Sequence, residues 1–495
     1  MDRTGADSRD QKMFVGGNWI DAIDGERLPV ENPFDCSVVA YVPRARARDV
    51  DRSVAAAAAA FPGWRQVLPR ERGRALIKIA DAIEKEIERL ARLLATETGN
   101  ALRTQARPEI RGAIDIFRYF GGLGSELRGS TLPFGEDVLS YTRREPIGVV
   151  GGIIAWNAPV TLASVKIAPA LCAGNTIVLK AAEDAPLTVL AIAEIAQNFL
   201  PAGVLNVLTG LGEEAGAALL NNPHVQKFSF TGSTEVGRLV LQAAAPRIVP
   251  TSLELGGKNP CIVFPDADQD AATDGAIAAM RFTRQGQSCT AGSRLFLHHS
   301  IHDAFLDKLV KKVSTIHLGN PIDEETDAGT LINATQHTMV TSYVKEGLAQ
   351  RDAKLLTGGS PPTEGPLSKG YFYKPTIIAG ATNDSRIARE EVFGPVMVVI
   401  PWKDEDEVVK MANDTHYGLA AFVWGRDIAV ALRTPHRLEA GWIQVNQAGG
   451  PAAGHSYGGY KQSGIGKEYS LEAMLDSYTL TKNVVVNLQG GPKYS

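Results

Sequence analysis

Gly148–Ala155 (GVVGGIIA) is apolar or glycine at all eight positions, and this run constrains the fold more than any other stretch of the chain. A strand with one wet face alternates polar and apolar residues, whereas a run without alternation needs both faces covered, as in a parallel sheet with helices on either side. The segments after it keep that reading. Thr176–Lys180 is strand-like, Leu187–Phe199 helical, Val204–Leu208 strand-like, Glu213–Leu220 helical, Lys227–Phe230 strand-like and Thr234–Ala244 helical. This rhythm predicts a doubly wound α/β domain. A second α/β series runs from Cys261 to Asn446, with strands near Arg294–His298, Pro395–Pro401, Leu419–Trp424 and Trp442–Val445. Two or three domains are expected in any case, because 495 residues exceed what one hydrophobic core supports.

Ahead of these, Phe14–Ile20 and Leu28–Asn32 read as short strands. Asp49 is placed to cap an Ala-rich helix Val50–Ala60. A longer helix, Arg70–Thr96, carries Leu76, Ile79, Ile83, Ile87, Leu90 and Leu94 at steps of three and four, and Gly99 ends it. A third helix spans Pro108–Phe120. Leu139–Arg144 and the β-branched tail Thr481–Leu488 read as strands, and the tail is an apolar edge that an uncovered sheet would expose.

With 51 Lys and Arg against 55 Asp and Glu, a net charge of −4 gives no electrostatic reason to expect nucleic acid or an anionic membrane as partner. The four cysteines, Cys36, Cys172, Cys261 and Cys289, show no C-x-x-C pairing and no histidine spacing suited to zinc, so neither a disulfide framework nor a metal site is expected. The polar start lacks a signal-peptide core, and the apolar stretches are too short to span a bilayer. The expectation is a cytoplasmic protein.

Five short motifs carry chemistry. QGQSCTAGSR, Gln285–Arg294, sets Cys289 in a loop between a helix Ala271–Thr283 and the strand Arg294–His298. A cysteine alone is more often core filler than nucleophile. LELGGKNP, Leu253–Pro260, adds a lone carboxylate, Glu254, 35 residues upstream of Cys289, which suggests a thiol and a base. FTGSTEVG, Phe230–Gly237, puts Gly232 and Ser233 at a strand-to-helix turn, where free N–H groups attract phosphate; a plain cap by Ser233 is the alternative. LKAAED, Leu179–Asp184, ends a buried strand with Lys180 and Glu183 at the edge where nucleotides sit in open α/β sheets, the alternative being a surface ion pair. AWNAP, Ala155–Pro159, offers the amide of Asn157, either as a donor or as a helix cap.

These segments, with EVFGPV at Glu391–Val396, resemble the aldehyde dehydrogenase superfamily from about Asn32 to Gly466, and more closely its hydrolytic, non-acylating branch. The resemblance implies two doubly wound α/β domains plus a small β oligomerisation element. The boundaries expected are 1–128 and 148–256 for NAD binding, 257–462 for catalysis, and 129–147 with 477–495 for assembly into a homodimer or homotetramer. It implies oxidation of an aldehyde to the acid with NAD+: Cys289 as nucleophile, Asn157 with the Cys289 amide as oxyanion donors, Glu254 activating water, and Lys166 and Glu468 supporting proton transfer. For the cofactor it implies Ser233 at the phosphates with Gly232 and Gly237 permitting approach, Lys180 and Glu183 on the adenosine ribose, and Glu391 and Phe393 at the nicotinamide ribose and ring, with Trp156 and Leu255 nearby. Glu183 would repel a 2′-phosphate, so NAD is favoured over NADP. The chain departs from the pattern at Ala155 and Ala181, where the family commonly has proline.

The same resemblance places the aldehyde tunnel at Gly112, Ala158, Leu162, Val165, Ser288, Thr290, Gly449, Gly450 and Tyr457. Most are small, so a wide, largely apolar tunnel for bulky hydrophobic or aromatic aldehydes is expected, with Arg107 and Arg111 near its mouth. The alternatives are an acylating enzyme that passes the thioester to coenzyme A, against which Glu254 stands, and a catalytically silent structural or binding homologue, against which Cys289, Glu254 and Asn157 stand. A cysteine hydrolase would need a histidine partner, and no histidine motif marks one.

Overall fold

The computed structural model describes residues 10–489; residues 1–9 and 490–495, the ends of the expected dinucleotide and assembly segments, lie outside the described residues. It is a mixed α/β fold with two large sheets, each covered by helices on both faces.

In the first sheet the parallel strands Val149–Ile153, Thr176–Lys180, Leu205–Leu208 and Lys227–Thr231 match the alternation of the sequence, and a fifth, Thr251–Glu254, was not among the strands expected. From Val149–Ile153 the chain steps outward through Thr176–Lys180 to Leu205–Leu208, then returns to the other side of Val149–Ile153 with Lys227–Thr231 and Thr251–Glu254. Val149–Ile153 and Lys227–Thr231 are therefore neighbours whose outgoing connections diverge, and the crevice at such a switch point opens at the carboxyl ends of the strands. Those ends lead into Trp156–Asn157 and Gly232–Ser233. The central strands are buried on both faces; the unbroken apolar pattern of Val149–Ile153 required this, whereas Lys227–Thr231 is buried although it alternates polar and apolar residues.

In the second sheet Pro260–Val263, Arg294–His298, Val396–Trp402, Thr376–Ala379, Ala420–Trp424 and Trp442–Val445 run parallel, with Lys354–Thr357 antiparallel at one edge. Glu254 ends a strand of the first sheet, and Leu255–Asn259 passes directly into Pro260–Val263 of the second. The turn that carries Cys289 precedes Arg294–His298, the neighbour of Pro260–Val263. The site thus lies where carboxyl ends of one sheet meet amino ends of the other.

A third, antiparallel sheet joins Thr479–Asn487 to Val138–Pro146 over its whole length, with Thr131–Pro133 beyond. Thr479–Asn487 is its outer strand, and Leu480, Val485, Val486 and, just past it, Leu488 are exposed. Among the described residues no helix is long and apolar enough to cross a membrane, and no group of three or more His, Cys, Asp or Glu is placed to hold a metal ion.

Several local expectations are corrected. Phe14–Ile20 is a hairpin, Met13–Val15 with Asn18–Ile20, turned at Gly16 and Gly17, both with positive φ. Asp49 lies inside the helix Ala47–Gln66, where its carboxylate accepts from the backbone N–H of Arg46 at 3.0 Å. The helix expected over Arg70–Thr96 is two, Pro69–Glu84 and Ile87–Thr98; the apolar spacing runs unbroken through the join, and no Gly or Pro marks it. Gly99 does end the second, at φ 70°. Glu213–Leu220 is a wide turn, Gly212–Gly216, followed by a short helix, Ala217–Asn221.

Candidate active site

The helix Gln269–Met280 stops earlier than its Ala-rich sequence suggests, because Arg281 takes the left-handed conformation at φ 60°. The chain then turns through Phe282–Arg284 and a second left-handed residue, Gln285, before reaching Cys289. Non-glycine residues in this region each cost on the order of 1 kcal/mol, so the surrounding contacts must hold the turn in place. Asn259 supplies two of them: its Nδ2 donates to the carbonyls of Cys289 at 2.8 Å and Ala291 at 2.9 Å, while its Oδ1 accepts from Ala420 N at 2.8 Å. Gln287 is held by Ile332 N, which donates to its Oε1 at 2.9 Å, and by its own Nε2, which donates to the Thr330 carbonyl at 3.2 Å.

Cys289 is half-buried, with Sγ 3.4 Å from the hydroxyl of Tyr457. Burial pushes its thiol up to about 12; the Tyr457 hydrogen bond and the Arg281 charge pull down, and the charges of Glu391 and Glu254 push up. Its backbone N–H makes no hydrogen bond to the described residues. Asn157 is buried, and its Nδ2 donates to the carbonyl of Gln287 at 3.1 Å, which aims the amide at the Cys289 turn and leaves a second N–H free. It does not cap the next helix. Glu109 does so from across the helix Arg107–Gly122, accepting from Val160 N at 3.1 Å and Thr161 N at 3.4 Å.

Glu254 is buried, and its Oε2 has no hydrogen-bond partner among the described residues. Burial first, then the charge of Glu468, holds its carboxyl well above the usual range, against the opposing charges of Lys166 and Lys467. Lys166 and Glu468, 302 residues apart, form a buried ion pair at 2.8 Å, and Lys166 Nζ also donates to Ser229 Oγ at 3.2 Å. A residue sequence reasoning missed feels the charges of this pair: Lys227, whose Nζ donates to Ser252 Oγ at 2.5 Å and whose amine burial lowers to about 7.

One cavity of about 420 Å³ is lined by Cys289, Asn157, Glu254 and Glu468 together. Of the expected tunnel residues, Gly112, Ala158, Leu162, Ser288, Thr290, Gly450 and Tyr457 line it. Val165 does not, being buried in its own helix, and neither does Gly449, whose carbonyl accepts from Arg281 and from Gln444 Nε2 and whose N–H donates to Gln444 Oε1. Arg107 and Arg111 do not line it either; Arg107 is held by Glu88 and Glu324. The arginines in the wall are Arg281 and Arg284, neither anticipated from the sequence.

At the switch point, Ser233 Oγ accepts from Val236 N at 3.2 Å and caps Thr234–Ala244, so the capping role is filled. A Cβ on Gly237 would meet Leu255 at 2.7 Å and one on Gly232 the Phe230 ring at 2.5 Å, so both glycines answer first to neighbours inside the protein. Lys180 is buried and paired with the half-exposed Glu183. Glu391 Oε1 accepts from Gly257 N at 2.9 Å, and burial lifts its carboxyl to about 7. Trp156 and Phe393 meet edge to face at 5.3 Å, with Phe393 at φ 51°. Two carboxylates suited to accept from ribose hydroxyls, a helix start and a pair of aromatic rings are a donor and acceptor set that fits a dinucleotide.

The aldehyde dehydrogenase family model matches residues 19–484, and the chain belongs to that family. It is similar to a protein of Burkholderia cenocepacia assigned to the aldehyde dehydrogenases, at 42% identity over 98% of this chain and 99% of that one, with a TM-score of 0.95. It is also similar to aldehyde dehydrogenase from Bacillus cereus solved as an NAD+ complex, at 39% identity over 97% of each chain and a TM-score of 0.94. Betaine aldehyde dehydrogenase from Staphylococcus aureus, solved with NAD+, matches at 35% identity over 98% of this chain and 96% of that one, with a TM-score of 0.95.

Proposed function

We propose that this protein oxidises an aldehyde to its carboxylic acid with NAD+, by way of a cysteine thioester that water hydrolyses. The observation that carries the reading is the single cavity shared by a thiol, two unengaged N–H donors and a buried carboxylate. Residues 1–128 and 148–256 hold the dinucleotide, residues 257–462 supply the nucleophile, and residues 129–147 with 477–495 serve assembly.

Lys180 and Glu183 would hold the adenosine ribose, Ser233 with the start of Thr234–Ala244 the phosphates, and Glu391, Phe393 and Trp156 the nicotinamide end, beside Leu255. Bound there, NAD+ supplies the hydride acceptor. Cys289 attacks the carbonyl carbon as its thiolate, the thiol proton having passed to solvent in the cavity, and the oxyanion is met by Asn157 Nδ2 and the Cys289 N–H, one such donor being worth about 3–4 kcal/mol. Loss of hydride from the same carbon leaves the thioester. Glu254 then takes a proton from water, for which its raised carboxyl suits it. Lys166 and Glu468 stand beside it to pass that proton on.

The small residues Gly112, Ala158 and Gly450 in the cavity wall support bulky hydrophobic or aromatic aldehydes, with each buried CH2 contributing up to about 0.8 kcal/mol. NADH absorbance with an aldehyde panel, with and without coenzyme A, tests the reading: NADH formed without coenzyme A is expected, and an absolute need for it would assign the acylating reaction instead. For assembly, the exposed outer edge of Thr479–Asn487 supports pairing with a second subunit into a homodimer or homotetramer. Truncation after Ser477 is expected to lower the native mass in solution, and an unchanged mass would leave this strand only the edge of its own sheet.

A further inference from the structure

The two arginines in the cavity wall differ in one respect. Arg284 has a counter-charge: its Nη2 lies 3.2 Å from Glu109 Oε2, and its Nε donates to Gln105 Oε1 at 2.9 Å. Arg281 has none. Its contacts among the described residues are both made through Nη2, to the Gly449 carbonyl and, at 3.5 Å, to Thr290 Oγ1, which leaves Nε and Nη1 without acceptors. The side chain is half-buried beside the residue that follows the nucleophile, and burial is the first cause that pulls its guanidinium down to about 10. A desolvated cation with no carboxylate partner is costly to keep, and its field on a neighbouring anion is several times stronger than in bulk water. The left-handed backbone at Arg281 adds strain at the same residue. Asp115, which also lines the cavity, is exposed, so solvent and salt screen its opposing charge.

We propose that Arg281 determines specificity in this tunnel, and that the aldehyde it selects carries a carboxylate at the end away from the reacting carbonyl. This deepens the aldehyde oxidation proposed above and rests on it. The guanidinium answers the substrate carboxylate with charge-assisted hydrogen bonds, and the small residues at Gly112, Ala158 and Gly450 leave room for the body of the molecule.

The test compares 3- and 4-formylbenzoate with 3- and 4-methylbenzaldehyde, which match them in shape but lack the charge. For wild type, kcat/KM at low salt is expected to favour at least one formylbenzoate over its neutral match by tenfold or more, with the advantage shrinking as salt rises. Arg281→Gln should bring that ratio close to one, mainly through the KM of the formylbenzoates; because the same charge also lowers the Cys289 thiol, the methylbenzaldehydes should lose some kcat, but less than the formylbenzoates lose in kcat/KM. Arg281→Lys should keep part of the preference. If wild type prefers the neutral aldehydes, or Arg281→Gln lowers both classes alike because the residue only holds the Gly449 loop, the inference is wrong while aldehyde oxidation stands. If no aldehyde yields NADH, the reading beneath it fails as well. Should Arg281→Gln not fold, the preference and its salt dependence in wild type still decide the matter.

Discussion

Asn259 holds the carbonyl of Cys289 at 2.8 Å, whereas Glu254, at the head of the same linking segment, keeps a buried Oε2 with no hydrogen-bond partner among the described residues. The difference fits the roles proposed for the two groups. A nucleophile that attacks a carbonyl has to stand still, and near-attack geometry is lost with an error of about 1 Å. A carboxylate that is to take a proton must not be saturated with donors, since two or three hydrogen bonds can pull its pKa below about 2. The thiol is fixed through its backbone and the base is left loose at its oxygens, although both belong to one cavity.

The comparison can be broken most severely at the thiol. Cys289→Ala should abolish turnover while NAD+ affinity, measured by titration calorimetry, stays within about twofold; turnover comparable to wild type would end the assignment. Glu254→Gln is next, with steady turnover expected to fall by roughly 10²–10⁴. The first turnover should survive as a burst of one NADH per site, and the absence of a burst would mean that Glu254 acts before hydride transfer.

Asn259→Ala sharpens the other side. It leaves the Cys289 carbonyl and the Ala420 N–H unpaired, while the Ala291 carbonyl keeps the Ser293 N–H at 2.8 Å, and about 2 kcal/mol of stability should be lost in urea unfolding. The fall in kcat should exceed the change in KM; an unaltered kcat would show that the turn holds itself. The smallest effect is expected at Tyr457. Without cofactor, alkylation of Cys289 by iodoacetamide should rise about tenfold per pH unit from pH 7 to 10 with no plateau, since deprotonation lies higher still and only the thiolate reacts. Tyr457→Phe removes a contact that lowers the thiol, so rates should drop by less than about threefold at each pH. A plateau below pH 9 would place the thiol lower than its burial implies.

Much of this was legible in the residues themselves. An apolar run without alternation needs both faces covered, so Gly148–Ala155 and the alternation after it marked four strands of the first sheet to within one or two residues, while Thr251–Glu254 and Gly464–Ile465 went unmarked. Cys289, Glu254 and Asn157 stood out through short local motifs, and the cavity joins all three. The split at Lys85–Glu86 was not legible, because the apolar period crosses it without interruption.

What the tertiary structure alone decided is where long side chains end. Lys166 meets Glu468 across 302 residues, and no local pattern records that contact. Arg281 reads in sequence as the close of an Ala-rich helix; only its left-handed turn and the arrival of Gly449, 168 residues later, make it a cation in the cavity wall. Arg107, expected near the tunnel mouth, does not line the cavity and pairs with Glu88 and Glu324. Periodicity fixes which face of an element is buried, because burial acts on every residue of the element at once. The partner of a single charge depends on loops that the chain brings together only after it has folded.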